Sequence, residues 1–120
     1  MNKIKYVLGF VFLAGCSSDP FVGKWEAELD AKADLTIDEE PSNQYSGQGH
    51  LYYVNVLCPF EMDGHKIDES NLTVNFHFYK TGNTCVDGSV SAVQCTLANN
   101  NSRLKCQVPG GTMLVYNKSE

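Results

Sequence analysis

The stretch VQCTLANNNSRLKCQV, residues 93–108, holds two runs of alternating apolar and polar residues on either side of the polar run NNNS, residues 99–102. Alternation with a period of two is typical of a half-buried β-strand, and runs of Asn and Ser are typical of turns. If residues 99–102 form a four-residue loop, an antiparallel hairpin pairs residues whose numbers sum to 201. This register gathers the Leu, Val and Cys residues on one face, whereas a slip of one residue would mix the two faces. The stretch therefore predicts a β-hairpin.

The same register sets Cys95 opposite Cys106. Directly opposed Cα atoms lie about 4.5–5.5 Å apart, which suits a disulfide. The chain has five cysteines. If Cys16, which lies in an N-terminal segment unlike the rest of the chain, is set aside, this pairing leaves Cys58 to bond Cys85. Two long-range pairings among the four are the alternative. The spacings match neither paired CxxC zinc ligands nor a CxxC redox motif, so we expect structural disulfides.

Residues 25–37 also alternate strictly, with every odd-numbered residue apolar. A turn near residues 30–34 would fold this stretch into two strands, with Leu29 opposite Leu35. No stretch of eleven or more residues after the first twenty-two has the apolar period of 3.6 that indicates a helix.

Residues 52–62 predict a longer strand with one continuous apolar face. Asp63-Gly64 follows it and is a tight-hairpin signal that would set Phe60 opposite Ile67. Further strands are predicted from alternating runs at residues 44–49, 72–79, 93–98, 103–108 and 113–117.

About eight short strands at intervals of 8–12 residues favour one fold class. We expect an all-β protein, an antiparallel up-and-down meander that forms a small barrel or a tight sandwich with two disulfides. Its single domain would extend over residues 23–118.

The first sixteen residues differ from the rest of the chain. Lys3 and Lys5 give a positive start, residues 6–13 are apolar, and the run closes with LAGC at Cys16. This layout is typical of a secretory signal, and the apolar run is too short to span a bilayer. The ending resembles the lipobox of bacterial lipoproteins. That resemblance implies that residues 1–15 are a cleaved signal peptide and that the Cys16 thiol is acylated.

Acylation would attach the protein to a lipid bilayer and place it in the cell envelope. Two or three acyl chains on Cys16 would hold it there stably, since each buried methylene contributes about 0.8 kcal/mol. Ser17, rather than an aspartate, follows the cysteine, which favours the outer membrane if the host has two membranes. Residues 16–22 would then be the lipidated cysteine with a short linker, so the domain would lie close to the headgroups.

Removal of residues 1–15 takes Lys3 and Lys5 from nine basic residues and leaves 14 acidic ones, so the formal charge falls from −5 to −7. Arg103 is the only arginine. Phosphate contacts need clustered Lys and Arg, so we expect no nucleic-acid partner. An acidic surface attracts a basic protein, such as an envelope or toxin protein; a solvated face that keeps the chain soluble is the alternative.

Gly23-Lys24-Trp25 opens the first predicted strand and resembles the Gly-x-Trp signature of lipocalins and their bacterial lipocalin-like relatives. The resemblance implies that Trp25 closes one end of a barrel, that Arg103 packs over it, and that the barrel carries a small apolar ligand. This chain is shorter and resembles compact barrels without a C-terminal helix. A simple core anchor is the alternative role for Trp25.

No motif indicates catalysis. His50, His65 and His77 are scattered without metal-ligand spacing, and there is no GxSxG serine. We therefore expect a non-enzyme without a metal or cofactor, a protein-binding lipoprotein similar to periplasmic inhibitors and immunity proteins. A carrier of a small apolar ligand and a structural envelope lipoprotein are the alternatives. The candidate partner-binding loops contain Asp38, Glu39, Glu40, Ser46, Gln48 and His50.

Overall fold

The computed structural model describes residues 19–119, which form a closed antiparallel barrel of eight strands. Each strand pairs with the next along the chain, and the last pairs with the first. The strands are β1 (Gly23–Ala27), β2 (Asp34–Glu40), β3 (Gln44–Tyr53), β4 (Val56–Asp68), β5 (Asn71–Phe78), β6 (Gly88–Ala98), β7 (Arg103–Gln107) and β8 (Met113–Lys118). The predicted all-β meander is confirmed, and it closes as a barrel. Within the described residues no helix is long and apolar enough to cross a membrane; the signal-like segment and Cys16 lie outside them.

The hairpin between β6 and β7 has the predicted register. Its pairs run from Gln94↔Gln107 to Ala98↔Arg103, which makes residues 99–102 the loop. Three consecutive asparagines in this loop have positive φ angles of 52°, 56° and 67°, which Asn tolerates better than most residues.

Both predicted disulfides are present. Cys95 is bonded to Cys106 across the β6–β7 hairpin, with 4.0 Å between their Cα atoms. Cys58 is bonded to Cys85 and ties β4 to the long connection between β5 and β6. One bond thus links two adjacent strands, and the other fastens a long connection to the sheet.

The barrel interior is filled by side chains from alternating strand positions. Phe60 packs on Phe76, with ring centroids 4.8 Å apart, and on Phe78 at 5.6 Å. An eight-stranded barrel of short strands is narrow enough for side chains to fill. The largest fully buried side chains are Trp25, Tyr116, Phe21, Phe60, Phe76, Leu35, Ile37, Leu72 and Leu104.

The predicted register between the first two strands was wrong. Trp25, rather than Leu29, pairs with Leu35, and the Leu29 side chain is 99% exposed. The connection is longer than expected because an Asp30 carboxylate oxygen accepts a bond from the Lys32 N–H and builds a turn within it. The register moved by an even number of residues, so the apolar face still points inward.

The predicted hairpin at Asp63-Gly64 was also wrong. β4 continues through both residues, and Phe60 pairs with Phe78 on one side instead of with Ile67. The Asp-Gly pair therefore lies in the middle of the longest strand of the barrel.

Glycines on β3 and β4 serve close packing. A Cβ atom at Gly64 would lie 2.6 Å from the Val74 side chain, and one at Gly49 would lie 2.1 Å from the Asp34 carbonyl oxygen. Gly64 pairs with Tyr45 and Gly49 pairs with Phe60. Gly64 thus leaves room for the Val74 side chain of β5, and Gly49 leaves room for the Phe60 ring of β4, which allows the sheet to curl.

The turn before β4 lies where no turn was predicted. Tyr53 pairs with Val56, so Val54 and Asn55 form a two-residue loop, with φ angles of 49° and 63°. Both values are typical of a type I′ hairpin. The predicted continuous strand over residues 52–62 is therefore two strands, and its first apolar residues point into solvent.

An up-and-down barrel sorts its connections to two ends. The proximal end, where β1 starts, carries residues 19–22, 41–43, 69–70 and 99–102. The distal end carries residues 28–33, 54–55, 79–87 and 108–112. Ten-residue β3 rises about 3.3 Å per residue with a typical tilt of 35–45°, so the two ends lie about 25 Å apart.

Residues 19–22, expected as linker, plug the proximal end. Phe21 is fully buried in the core. Its carbonyl oxygen accepts a hydrogen bond of 3.0 Å from the Trp25 indole N–H, and the Lys118 ammonium donates one of 3.0 Å to the Pro20 carbonyl. The packed part of the chain therefore begins before β1.

The cation over the Trp25 ring is Lys118 rather than the expected Arg103. The Lys118 ammonium lies 4.6 Å from the ring centroid because β8 sets Lys118 directly opposite Trp25. Arg103 bonds Glu28 at 2.7 Å instead. Trp25 itself is buried as a core anchor.

Candidate interaction surface

Exposed apolar side chains cluster at the distal end. Nine large hydrophobic side chains are exposed among residues 19–119, and only Ile67 lies toward the proximal end. The other eight, here called the distal rim, are Leu29, Tyr52, Tyr53, Val54, Val56, Tyr79, Val86 and Met113. Scattered single apolar residues are normal on a protein surface, whereas a contiguous group marks an interaction site.

The tip of the β3–β4 hairpin presents Val54 most prominently. Its side chain is 72% exposed and its φ angle is 49°. A β-branched residue is disfavoured at positive φ, and a local conformation of this kind costs about 1–3 kcal/mol. The chain thus carries local strain to hold an apolar side chain in solvent.

Two tyrosines of the distal rim are held by carboxylates. The Tyr52 hydroxyl donates to Asp30 at 3.0 Å, and the Tyr79 hydroxyl donates to Glu61 at 2.7 Å. These hydrogen bonds raise the pKa of both phenols, and the Lys32 N–H together with Tyr52 lowers the pKa of Asp30. The rings are thereby oriented before any partner arrives, which reduces the entropic cost of binding.

Two cavities open at the distal end, one on each side of the half-buried Leu51. Each has a volume of about 280 Å³. One is lined mainly by Tyr53, Phe78, Val86 and Val90. The other is lined mainly by Leu29, Met113, Leu114 and Tyr116. Both lie at the mouth of the barrel, above the filled core.

The outer face of β2 to β5 is acidic. Among the described residues, its outward positions carry six carboxylates and three histidines but no Lys or Arg. We call this surface the acidic sheet face; its acidic and histidine residues are Asp34, Asp38, Glu40, Glu61, Asp63, Asp68, His50, His65 and His77. Its distal edge meets the distal rim at Tyr79, whose hydroxyl bonds Glu61.

The predicted partner-binding residues belong to this face rather than to loops. Asp38 and Glu40 lie on β2, and residues 46–50 lie within β3. Asp38 pairs with Ser46, and the Ser46 hydroxyl donates to Glu40 at 2.7 Å. A strand was predicted over residues 44–49, but residues 38–40 and 46–50 were assigned to binding loops. The acidic run and the glycines at 47 and 49 resemble loop composition.

The remaining predicted residues separate along the barrel. Gln48 points outward on β3, and the His50 ring bonds Asp34 at 2.8 Å near the distal end. Glu39 is exposed at the proximal end, opposite Tyr45. The structure therefore brings Asp38, Glu40, Ser46, Gln48 and His50 onto one face and leaves Glu39 off it.

Asp63, His77 and Ser89 form a hydrogen-bonded row on the same outer surface. The His77 Nε2 atom lies 2.7 Å from Asp63, and its Nδ1 atom lies 3.1 Å from the Ser89 hydroxyl. A bond from Asn75, followed by His77, lowers the pKa of Asp63.

This row contains the residue types of a hydrolytic triad, but it stands in solvent. The side chains of Asp63 and His77 are 59% and 40% exposed. A nucleophile is activated where water is excluded and oriented donors await the developing charge. We interpret the row as a polar ladder across three strands. Among residues 19–119, no group of three or more His, Cys, Asp or Glu is placed to hold a metal ion.

No protein-family model, curated protein or solved structure matches the chain. The properties of the distal rim and the acidic sheet face therefore carry the functional argument.

Proposed function

We propose that the protein is a lipid-anchored, non-catalytic envelope lipoprotein whose barrel binds another protein through the distal rim. The observation that carries this proposal is the concentration of exposed apolar side chains at one end. Aromatic residues are enriched at protein–protein interfaces, and three of the eight rim residues are tyrosines. Inhibition of an envelope enzyme or neutralisation of a toxin is the type of activity that suits such a module.

The anchor would orient this rim. If Cys16 is acylated, only Ser17 and Ser18 separate it in sequence from Asp19, the first residue that the structure describes. Three residue steps reach about 10 Å, so the proximal end would stand against the headgroups. The distal rim would face away from that membrane, in the cell envelope, with the outer membrane favoured in a host that has two.

Site-specific photocrosslinking tests the protein-binding role. In one variant of the full chain, expressed in its own host, a crosslinking phenylalanine analogue replaces Tyr53. In a second variant of the same chain, the analogue replaces Ile67. Both positions are exposed, but they lie at opposite ends. We expect one discrete crosslinked protein from position 53 and none from position 67. Equal crosslinking from both positions, or none from either, would contradict the proposal.

The lipid anchor is tested separately. Mass spectrometry of the mature chain should show acyl groups on an N-terminal Cys16, and Cys16→Ala should leave an uncleaved, unacylated chain. An unmodified Cys16 in the mature protein would exclude the anchor while leaving the crosslinking result intact.

Carriage of a small apolar ligand is the second candidate, favoured by the two distal cavities of about 280 Å³. The packed interior restricts such a ligand to the mouth, where Leu51 separates the cavities. Native mass spectrometry of the purified protein would reveal a co-purified lipid-like molecule that Leu51→Trp should displace.

A further inference from the structure

We infer that the partner presents an apolar segment flanked by Lys or Arg, which seats its apolar side chains in the distal mouth and its basic side chains over the acidic sheet face. This inference rests on the proposed protein-binding function and adds the chemistry of the partner.

The distal mouth supplies the apolar half of the site. The two cavities beside Leu51 are open to solvent and lined mostly by apolar side chains. Interface hot spots are apolar or aromatic anchors that fill such pockets, surrounded by contacts that exclude water. Tyr52 and Tyr53 border one cavity and Leu29 borders the other, so an apolar segment could fill both.

The acidic sheet face supplies the charged half. A third depression, of about 370 Å³, lies where this face meets the distal rim. Its lining includes Asp34, His50, Glu61 and Tyr79, with Gly49 at its base. Asp34 on β2 and Glu61 on β4 place a carboxylate on each side of β3. A lysine or arginine adjoining an apolar anchor would meet both charges there.

The negative charge around the distal mouth favours a basic partner over a second copy of the chain and over an anionic bilayer. A second copy of the chain would bring the same carboxylates and the same net negative charge against this end, and like charges opposed at an interface cost several kcal/mol. An anionic bilayer surface would be repelled for the same reason. The packed N-terminal segment also lies at the other end of the barrel, about 25 Å away by strand length.

Peptide binding to the full chain in nanodiscs tests the inference. The probes are a short peptide with two tryptophans among lysines, a twin with glutamates in place of the lysines, and vesicles of phosphatidylglycerol. Fluorescence anisotropy at low and high salt gives the affinities. We expect the lysine peptide to bind at least tenfold more tightly than its twin, to weaken at high salt, and the vesicles not to bind.

Matched variants locate the site. Val86→Ser should weaken binding of the lysine peptide about fivefold, whereas Ile67→Ser should not, because the two side chains are 56% and 55% exposed but lie at opposite ends. The double change Asp34→Asn and Glu61→Gln should weaken it about tenfold. Loss of two proximal charges, by Glu39→Gln and Glu69→Gln, should leave it unchanged.

Equal binding of both peptides, stronger binding to vesicles, or equal effects of the distal and proximal variants would overturn the inference. If position 53 nevertheless crosslinks to a protein, the proposed function stands and only the partner chemistry is wrong. If position 53 also fails to crosslink, the protein-binding function is wrong as well.

Discussion

The proximal and distal ends of the barrel close the same sheet with different kinds of residue. At the proximal end, positive φ angles fall on Ser42 and on asparagines such as Asn43 and Asn100, and Phe21 fills the opening. At the distal end, positive φ angles fall on Val54 and Asn55 and on two glycines, and eight large apolar side chains are exposed among the polar ones. The proximal end therefore exposes few large apolar side chains, whereas the distal end leaves apolar surface exposed to solvent.

This contrast separates stability from interaction. Asp19 accepts bonds from the Tyr45 hydroxyl and the Phe21 N–H, so the proximal plug is held by hydrogen bonds as well as by burial. Such contacts raise the free energy of unfolding without offering anything to a partner. The distal residues expose apolar area that contributes free energy only when something covers it.

The largest expected effect is on the proximal plug. Phe21→Ala should lower the free energy of unfolding by about 3–5 kcal/mol, because a fully buried ring is lost and a cavity remains. Urea denaturation followed by tryptophan fluorescence measures it. Leu29→Ala at the distal end is the control and should change stability by less than about 0.5 kcal/mol. Equal losses from the two variants would break the comparison.

The next effect concerns the distal connection. Replacing both Cys58 and Cys85 with Ser removes a cross-link between residues separated by 27 positions and should cost about 3.5 kcal/mol in a chain-entropy model. Because the bond ties down residues 79–87, hydrogen exchange should accelerate there first. The matched change at Cys95 and Cys106, with a separation of 11, should cost less. A larger cost for the shorter loop would contradict this account.

Exchanging turn residues between the two ends should produce effects of opposite sign. Val54→Asn relieves a β-branched residue at a φ of 49° and should raise stability by about 1 kcal/mol. Asn100→Val places one at a φ of 56° and should lower stability by a similar amount. Thermal unfolding measures both. Only Val54→Asn should weaken partner crosslinking; a stabilising Asn100→Val would refute the strain argument.

The smallest effect is expected on the acidic sheet face, between the two ends. The pKa of Asp63 is lowered in the folded protein, first by Asn75 and then by His77. The associated stability is present above the unfolded pKa near 3.8 and is lost as the pH falls through the lower folded value. Because the pair is exposed, Asp63→Asn should lower the free energy of unfolding by under about 0.5 kcal/mol at neutral pH. It should also reduce the loss of stability at acidic pH, measured by urea denaturation over a pH series. Asp38→Asn controls for the loss of one charge; if it reduced the acid loss equally, the effect would not come from Asp63.

The parts of the fold that the chain predicted well are those specified by local chemistry. The β6–β7 hairpin followed from its Asn-rich loop and from a register that only one alignment satisfied, and the disulfides followed from that register. The hairpin at residues 54–55 was missed because Val54-Asn55 carries no turn signature. Asp63-Gly64 carries a strong one, but its glycine is needed for the close approach of Val74. Turn composition and packing constraints can use the same residue types.

The candidate site was harder to predict than the fold. Asp38 and His50 were correctly singled out as surface residues, but they were assigned to loops. Tyr52 and Val54 were placed in the core because they continue the even-numbered apolar series of β4.

Some features of this protein follow from local sequence patterns, and others depend on the whole closed sheet. Alternation, cysteine parity and turn-forming residues act over a few neighbouring positions, so the order of the amino acids alone established an all-β meander, its last hairpin and its disulfides. Which loops share an end of the barrel depends on every strand reversal and on the registers summed around the closed sheet. Those long-range constraints gathered the apolar residues at the distal end and buried Phe21 at the other.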